Sequence, residues 1–328
     1  MHPVKFFVAV ALCITATLAQ AAGFRFIEVP ADAEGPAMKG AMWTPCTAPP
    51  GEIDLGDIIL PGVKDCPISG DKLPLVVISH GNHDDMLRNH DTAETLADSG
   101  FIVAAINHPG DSSADLSRVA DLSVFVERPT DIKRLIDFML GASPAASRID
   151  PQRIGFFGFS AGGYTGLVLI GANPDWAYRF CHWSAAASVC EQILRKEFQA
   201  QPLVHDARIK AAVIADPACC FFGADSFAAV KVPVQLWASE RGGRGLSAVG
   251  PALTPESVAS VDRNLTEKHE YHVVPNAGHF AFWPPCPPAL ATGFPQGCTD
   301  APGFDRVAFH KELNAAVLAF FRANLGGT

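Results

Sequence analysis

Arg153-Ile154-Gly155-Phe156-Phe157-Gly158-Phe159-Ser160-Ala161-Gly162-Gly163-Tyr164-Thr165-Gly166-Leu167 is the stretch whose reading decides the fold. Residues 153–157 form a short apolar strand pattern, Gly158 to Gly162 has the form G-x-S-x-G, and residues 163–170 can start a buried helix. A serine at a sharp turn from strand to helix is the setting of a nucleophile elbow. Glycines on either side permit the strained backbone that lifts the hydroxyl clear of a sheet.

Outward from this stretch, apolar strands alternate with helical patterns. Residues 75–79, 101–106, 154–158, 209–215, 232–238 and 271–274 read as strands. Residues 91–99 have helical spacing, and 129–140 read as a helix with Ile132, Leu135, Ile136 and Met139 on one face. Residues 307–325 close the chain as an amphipathic helix. This alternation predicts an α/β fold, a mostly parallel sheet with helices on both faces. Residues 23–72 are rich in Pro and Gly, with strand-like pieces at 24–29 and 52–60, and read as an irregular β-rich entry to the sheet. Residues 173–208, with Trp176 and Trp183, interrupt the alternation and are read as a lid insertion within a single domain spanning 23–328. The Pro- and Cys-rich residues 278–303 read as a stapled surface loop.

Parallel sheets bind ligands at the carboxyl ends of their strands. The polar clusters fall at those ends: His80-Gly81-Asn82-His83, His108, Ser160 and Asp216. A serine hydroxyl needs a general base in contact with it, and the base needs a carboxylate to fix its tautomer. In elbow folds the chain order is serine, acid, histidine. Downstream of Ser160 stand His182, His205, His269, His272, His279 and His310, and only His279 follows a strand directly in a flexible turn. His279 is therefore the expected base, and His310 reads as a solvated helical histidine. For the acid, Asp216 at the end of strand 209–215 is preferred, and Glu240 after strand 232–238 is the alternative. The oxyanion donors are expected to be the backbone N–H groups of Ala161 and Asn82. His80 is expected to hold the oxyanion loop by hydrogen bonding, and His108 to line the pocket. A rival reading makes His80, His83, Asp84, Asp85, His90 and His108 metal ligands, but a turn leaving a strand does not make them converge. No metal and no cofactor is expected.

The chain has 328 residues, 48% hydrophobic and 18% charged, enough for one large core. A net charge of −9 and the lack of a basic stripe exclude a nucleic-acid footprint. Residues 1–22 read as a signal peptide: Lys5, an apolar run over 6–18, and Ala19-Gln20-Ala21 as a small-x-small cleavage site. The competing reading, a membrane anchor, needs about 20 apolar residues. The mature protein is thus expected to be secreted or periplasmic, with a small-molecule ester as partner. Export favours disulfides among the eight remaining cysteines, and local pairing suggests Cys46–Cys66, Cys181–Cys190 and Cys286–Cys298. The adjacent Cys219 and Cys220 are left open between a vicinal bridge and buried thiols.

Four separated motifs also carry a resemblance. Leu73-Pro74-Leu75-Val76-Val77-Ile78-Ser79-His80-Gly81 resembles the oxyanion strand of plasma-type platelet-activating-factor acetylhydrolases and of their bacterial relatives called predicted dienelactone hydrolases. Gly100-Phe101-Ile102-Val103-Ala104-Ala105-Ile106-Asn107-His108 is similar to that family's next strand, Gly158 to Gly163 to its elbow, and Ala215-Asp216 to its acid position. The elbow departs in reading Gly-Phe-Ser where the animal enzymes have Gly-His-Ser. The resemblance implies an α/β-hydrolase fold, a triad of Ser160, Asp216 and His279, and cleavage of short-chain or oxidised acyl esters. Alternatives are a lactone or polyester hydrolase on the same triad and a catalytically inactive binding protein on the same fold.

Overall fold

Ten strands form one sheet in a computed structural model that describes residues 21–176, 188–195, 203–219, 221–243 and 254–326. They are β1 Ala21–Val29, β2 Met38–Cys46, β3 Gly51–Asp54, β4 Ile59–Lys64, β5 Leu73–Ser79, β6 Ile102–Ile106, β7 Ile149–Phe159, β8 Ile209–Ala215, β9 Val234–Ser239 and β10 His269–Val274. The order is β10-β9-β8-β7-β5-β6-β2-β1-β4-β3. From β6 through β5 and β7 to β10 every pairing is parallel, as the apolar strand patterns predict. The β1–β2 and β2–β6 pairings are antiparallel.

The faces of the sheet alternate residue by residue. Leu75 and Val77 of β5 enter one core with α2 Leu122–Gly141, α3 Ala161–Leu169 and α5 Pro255–Asn264. Val76 and Ile78 enter the other core with α1 His90–Asp98 and α8 Arg306–Leu325. This period of two, with both faces covered, makes the central strands read as continuous apolar runs. After β5 the chain passes to β6 on one side, then returns to β7 on the other. The loops leaving β5 and β7 therefore diverge at a switch point and leave a crevice between them.

Several expectations change. The residues read as one strand at 52–60 form the β3–β4 hairpin, turned at Gly56 with φ +90°. The helix expected at 129–140 begins seven residues earlier, at Leu122, because the Asp121 side chain accepts from the Ser123 N–H and caps it. Pro129 thus lies inside α2, where burial of Leu122, Val124 and Ile132 offsets the lost backbone bond. Of the expected disulfides, Cys46–Cys66 and Cys286–Cys298 are formed; the second staples α6 Pro288–Gly293 and α7 Pro295–Cys298. Cys219 is a buried thiol, and burial pushes it up to about 12. The suggested Cys181–Cys190 pair, Cys220, Trp183 and residues 1–20 lie outside the described residues or side chains. Much of 173–208 does too; its described parts include α4 Ser188–Leu194, and Trp176, which packs on Phe221 and Tyr164 of the aromatic core. No helix among the described residues is long and apolar enough to cross a membrane.

Candidate active site

Ser160 stands between β7 and α3 with φ 55° and ψ −116°, a region that side chains other than glycine rarely occupy. The backbone around it holds this strain. Ser160 donates its N–H to the Ala215 carbonyl, and its own carbonyl accepts from the N–H groups of Tyr164 and Ala218. Two glycines of the elbow are required by close approach. A Cβ on Gly158 would lie 2.3 Å from the Gly162 carbonyl oxygen, and one on Gly162 would lie 1.9 Å from that of Ser79.

His279 Nε2 is 3.0 Å from Ser160 Oγ, and His279 Nδ1 is 2.7 Å from Asp216 Oδ2. All three residues are buried, with Ser160 the most open at 8% exposure. Asp216 follows β8 with φ 42° and also accepts from the N–H and the hydroxyl of Ser239. The ring of Phe159 stacks on His279 at 4.7 Å. Ser239 and Phe159 were not singled out from sequence, although each adjoins a residue that was, at a strand's carboxyl end. Glu240, the alternative acid, points elsewhere: it accepts from the Asn276 N–H at 2.6 Å and so braces the turn before His279.

Ala161 is the first residue of α3, so its N–H has no partner within the helix. The Asn82 side chain donates to Asp111 Oδ1 at 2.7 Å, and the turn bearing Asn82 packs on the elbow where Gly162 meets Ser79 and His80. His83 beside it has φ 63°. Among the described residues, four of the six other than glycine with positive φ are Ser160, Asp216, Asn276 and His83, in the turns that carry these groups. Such strain collects where a site must be held in one geometry.

The other histidines depart from expectation. His108 is wholly buried, between Ser79 Oγ at 2.9 Å from its Nε2 and Asp131 Oδ2 at 2.9 Å from its Nδ1. Burial, then the Arg128 charge, holds both His80 and His108 well below the ordinary imidazole value. Both are neutral, so each ring has one donor nitrogen and one acceptor. His80 donates from Nδ1 to the Gly81 carbonyl and accepts the His108 N–H at Nε2. His310 is not solvated but buried, joining Asp91 to the Ala281 carbonyl just after His279. Sequence periodicity cannot see these partners, because they come from other elements. The rival metal ligands are dispersed: Asp84 pairs with Arg88 and His90 with Glu94, and among the described residues no three potential ligands converge.

Comparison with known proteins supports the same architecture. Residues 70–218 match the family model of serine aminopeptidases, S33. No curated protein matches the chain. A ferulic acid esterase from Streptomyces cinnamoneus aligns with TM-score 0.62 at 19% identity, over 96% of this chain and 92% of its own. A dienelactone hydrolase from Anabaena variabilis aligns with TM-score 0.52 at 13% identity, over 93% and 99%. The chain has the α/β-hydrolase fold.

Proposed function

We propose that this chain is an exported esterase that cleaves short-chain or oxidised acyl esters through a Ser160 acyl-enzyme, as its resemblance to platelet-activating-factor acetylhydrolases implies. The observation that carries the reading is the relay from Ser160 Oγ to His279 Nε2, and from His279 Nδ1 to Asp216. In this reading His279 takes the hydroxyl proton as Ser160 Oγ attacks the ester carbonyl carbon. The oxyanion is received by the N–H groups of Ala161 and Asn82. His279 then gives its proton to the departing alkoxide as the C–O bond breaks. Water, deprotonated by His279, attacks the acyl-enzyme; the acid leaves and Ser160 regains its proton. Asp216 keeps the Nδ1 proton facing inward and stabilises the imidazolium.

Residues 1–22 act in this proposal as an export signal and 173–208 as a lid. The two disulfides support an oxidising destination. The similarity to a dienelactone hydrolase favours a second reading, hydrolysis of lactones. The test is turnover of p-nitrophenyl esters of rising chain length beside a lactone panel, with fluorophosphonate labelling of wild type and Ser160→Ala. Labelling at Ser160 with activity that is lost in the variant supports the reading. An unlabelled wild type that turns over no ester overturns it in favour of a binding protein. Lactones cleaved in place of linear esters select the second reading.

A further inference from the structure

Beneath the turn that carries Asn82 lies a buried charged cluster that the proposed reaction leaves unused. Arg128 of α2 is 1% exposed. Its Nη2 donates to the carbonyl oxygens of His80 at 2.8 Å and Gly81 at 3.2 Å. Its Nε lies 3.4 Å from Asp111 Oδ2, and Asp111 is wholly buried. The other oxygen of Asp111 accepts from the Asn82 side chain at 2.7 Å and from the His83 N–H at 3.0 Å. A cation thus grips the carbonyl side of the turn, and the anion paired with it grips the amide side.

The Gly81 carbonyl and the Asn82 N–H belong to one planar trans peptide unit, in which C=O and N–H point in opposite directions. The Gly81 oxygen is held inward twice, by Arg128 and by His80 Nδ1 at 2.6 Å. With the oxygen tied down, the N–H of Asn82 is turned away from Arg128. Burying a guanidinium is expensive, and well-packed apolar side chains often match or exceed an ion pair in stability. A role beyond packing is the better account of Arg128.

We infer that Arg128 is a positioning residue for the oxyanion site, binding the Gly81 carbonyl so that the N–H of Asn82 is aimed at the developing oxyanion. The inference rests on the proposed role of Asn82 as oxyanion donor. Misplacing a group that stabilises the transition state costs about 10²-fold in rate. The experiment compares wild type, Arg128→Met, Arg128→Lys and Asp111→Asn on p-nitrophenyl acetate. It also measures inhibition by an alkyl trifluoromethyl ketone, whose serine adduct places an oxyanion in the hole, and by the matching unfluorinated ketone.

In Arg128→Met, kcat is expected to fall about 10²-fold with KM changed less than about threefold, and affinity for the fluorinated ketone to fall with kcat. Affinity for the unfluorinated ketone is expected to hold. Arg128→Lys recovers part of the loss. If Arg128→Met does not fold, Asp111→Asn is expected to show the same pattern at about tenfold, because it keeps an acceptor for Asn82 but removes the charge paired with Arg128. A folded Arg128→Met, or Asp111→Asn in its place, with kcat and fluorinated-ketone affinity within about threefold of wild type overturns the inference and leaves the serine mechanism intact. A change confined to melting temperature, or to KM, overturns it as well. A wild type that neither turns over ester nor is labelled at Ser160 brings down the esterase reading instead.

Discussion

Two Ser-His-Asp arrays lie among the described residues, and by distance alone they are nearly alike. In one, His279 joins Ser160 at 3.0 Å to Asp216 at 2.7 Å. In the other, His108 joins Ser79 and Asp131, each at 2.9 Å. Ser160 sits on a strained turn at a helix start and is 8% exposed; Ser79 is a regular strand residue with no exposure at all. Burial holds His108 well below the ordinary imidazole value, and its side chain is wholly enclosed. A relay of hydroxyl, imidazole and carboxylate is therefore not by itself an active site. In the proposed reading, presentation on a strained turn at the start of α3 makes the difference.

The comparison breaks most sharply at the two serines. Ser160→Ala is expected to lower kcat by about 10⁴-fold or more, whereas Ser79→Ala should stay labelled at Ser160 by fluorophosphonate and lose about 1–3 kcal/mol of stability in urea unfolding. An unlabelled but folded Ser79→Ala would make the buried array part of the reaction. Next come the acids. Asp216→Asn is expected to cost about 10⁴-fold in kcat, and Glu240→Gln less than about tenfold because an amide oxygen still accepts the Asn276 N–H. Equal losses would mean that the turn, rather than the carboxylate, governs His279.

Gly162→Ala probes the seam between the arrays, where the new Cβ would meet the Ser79 carbonyl. Backbone must move there, so stability should fall by about 1–3 kcal/mol, with a loss of turnover, read by calorimetry and rate assays. The smallest effect is a pH slope. Burial raises Asp131 from 3.8 to about 7, so the folded state keeps a proton that the unfolded chain releases. Stability from this group falls as pH rises from 3.8 to about 7, then levels off. Asp131→Asn should flatten melting temperature against pH across that window, and an unchanged slope would place the titration elsewhere.

Much of the first array was legible in the sequence, and almost none of the second. Ser160 announces itself by glycines that only a tight turn needs, and His279 by a polar turn following an apolar strand. Asp216 stood out because it ends a strand, but choosing it over Glu240 required coordinates. Ser79, Asp131 and Arg128 give no such signal. Ser79 is the last residue of an apolar strand, and the other two lie in a helix whose start was misplaced by seven residues. His310 read as solvated because its partners, Asp91 and the Ala281 carbonyl, are remote in sequence.

Local periodicity and turn chemistry determined the parallel sheet, the elbow, and the order of serine, acid and histidine, since each depends on residues near one another in the chain. Tertiary structure alone decided which carboxylate meets His279, which histidines are buried and neutral, and that Arg128 lies under the turn of Asn82. Those outcomes depend on contacts between elements dozens of residues apart, and on the dielectric of a closed core that no local pattern encodes.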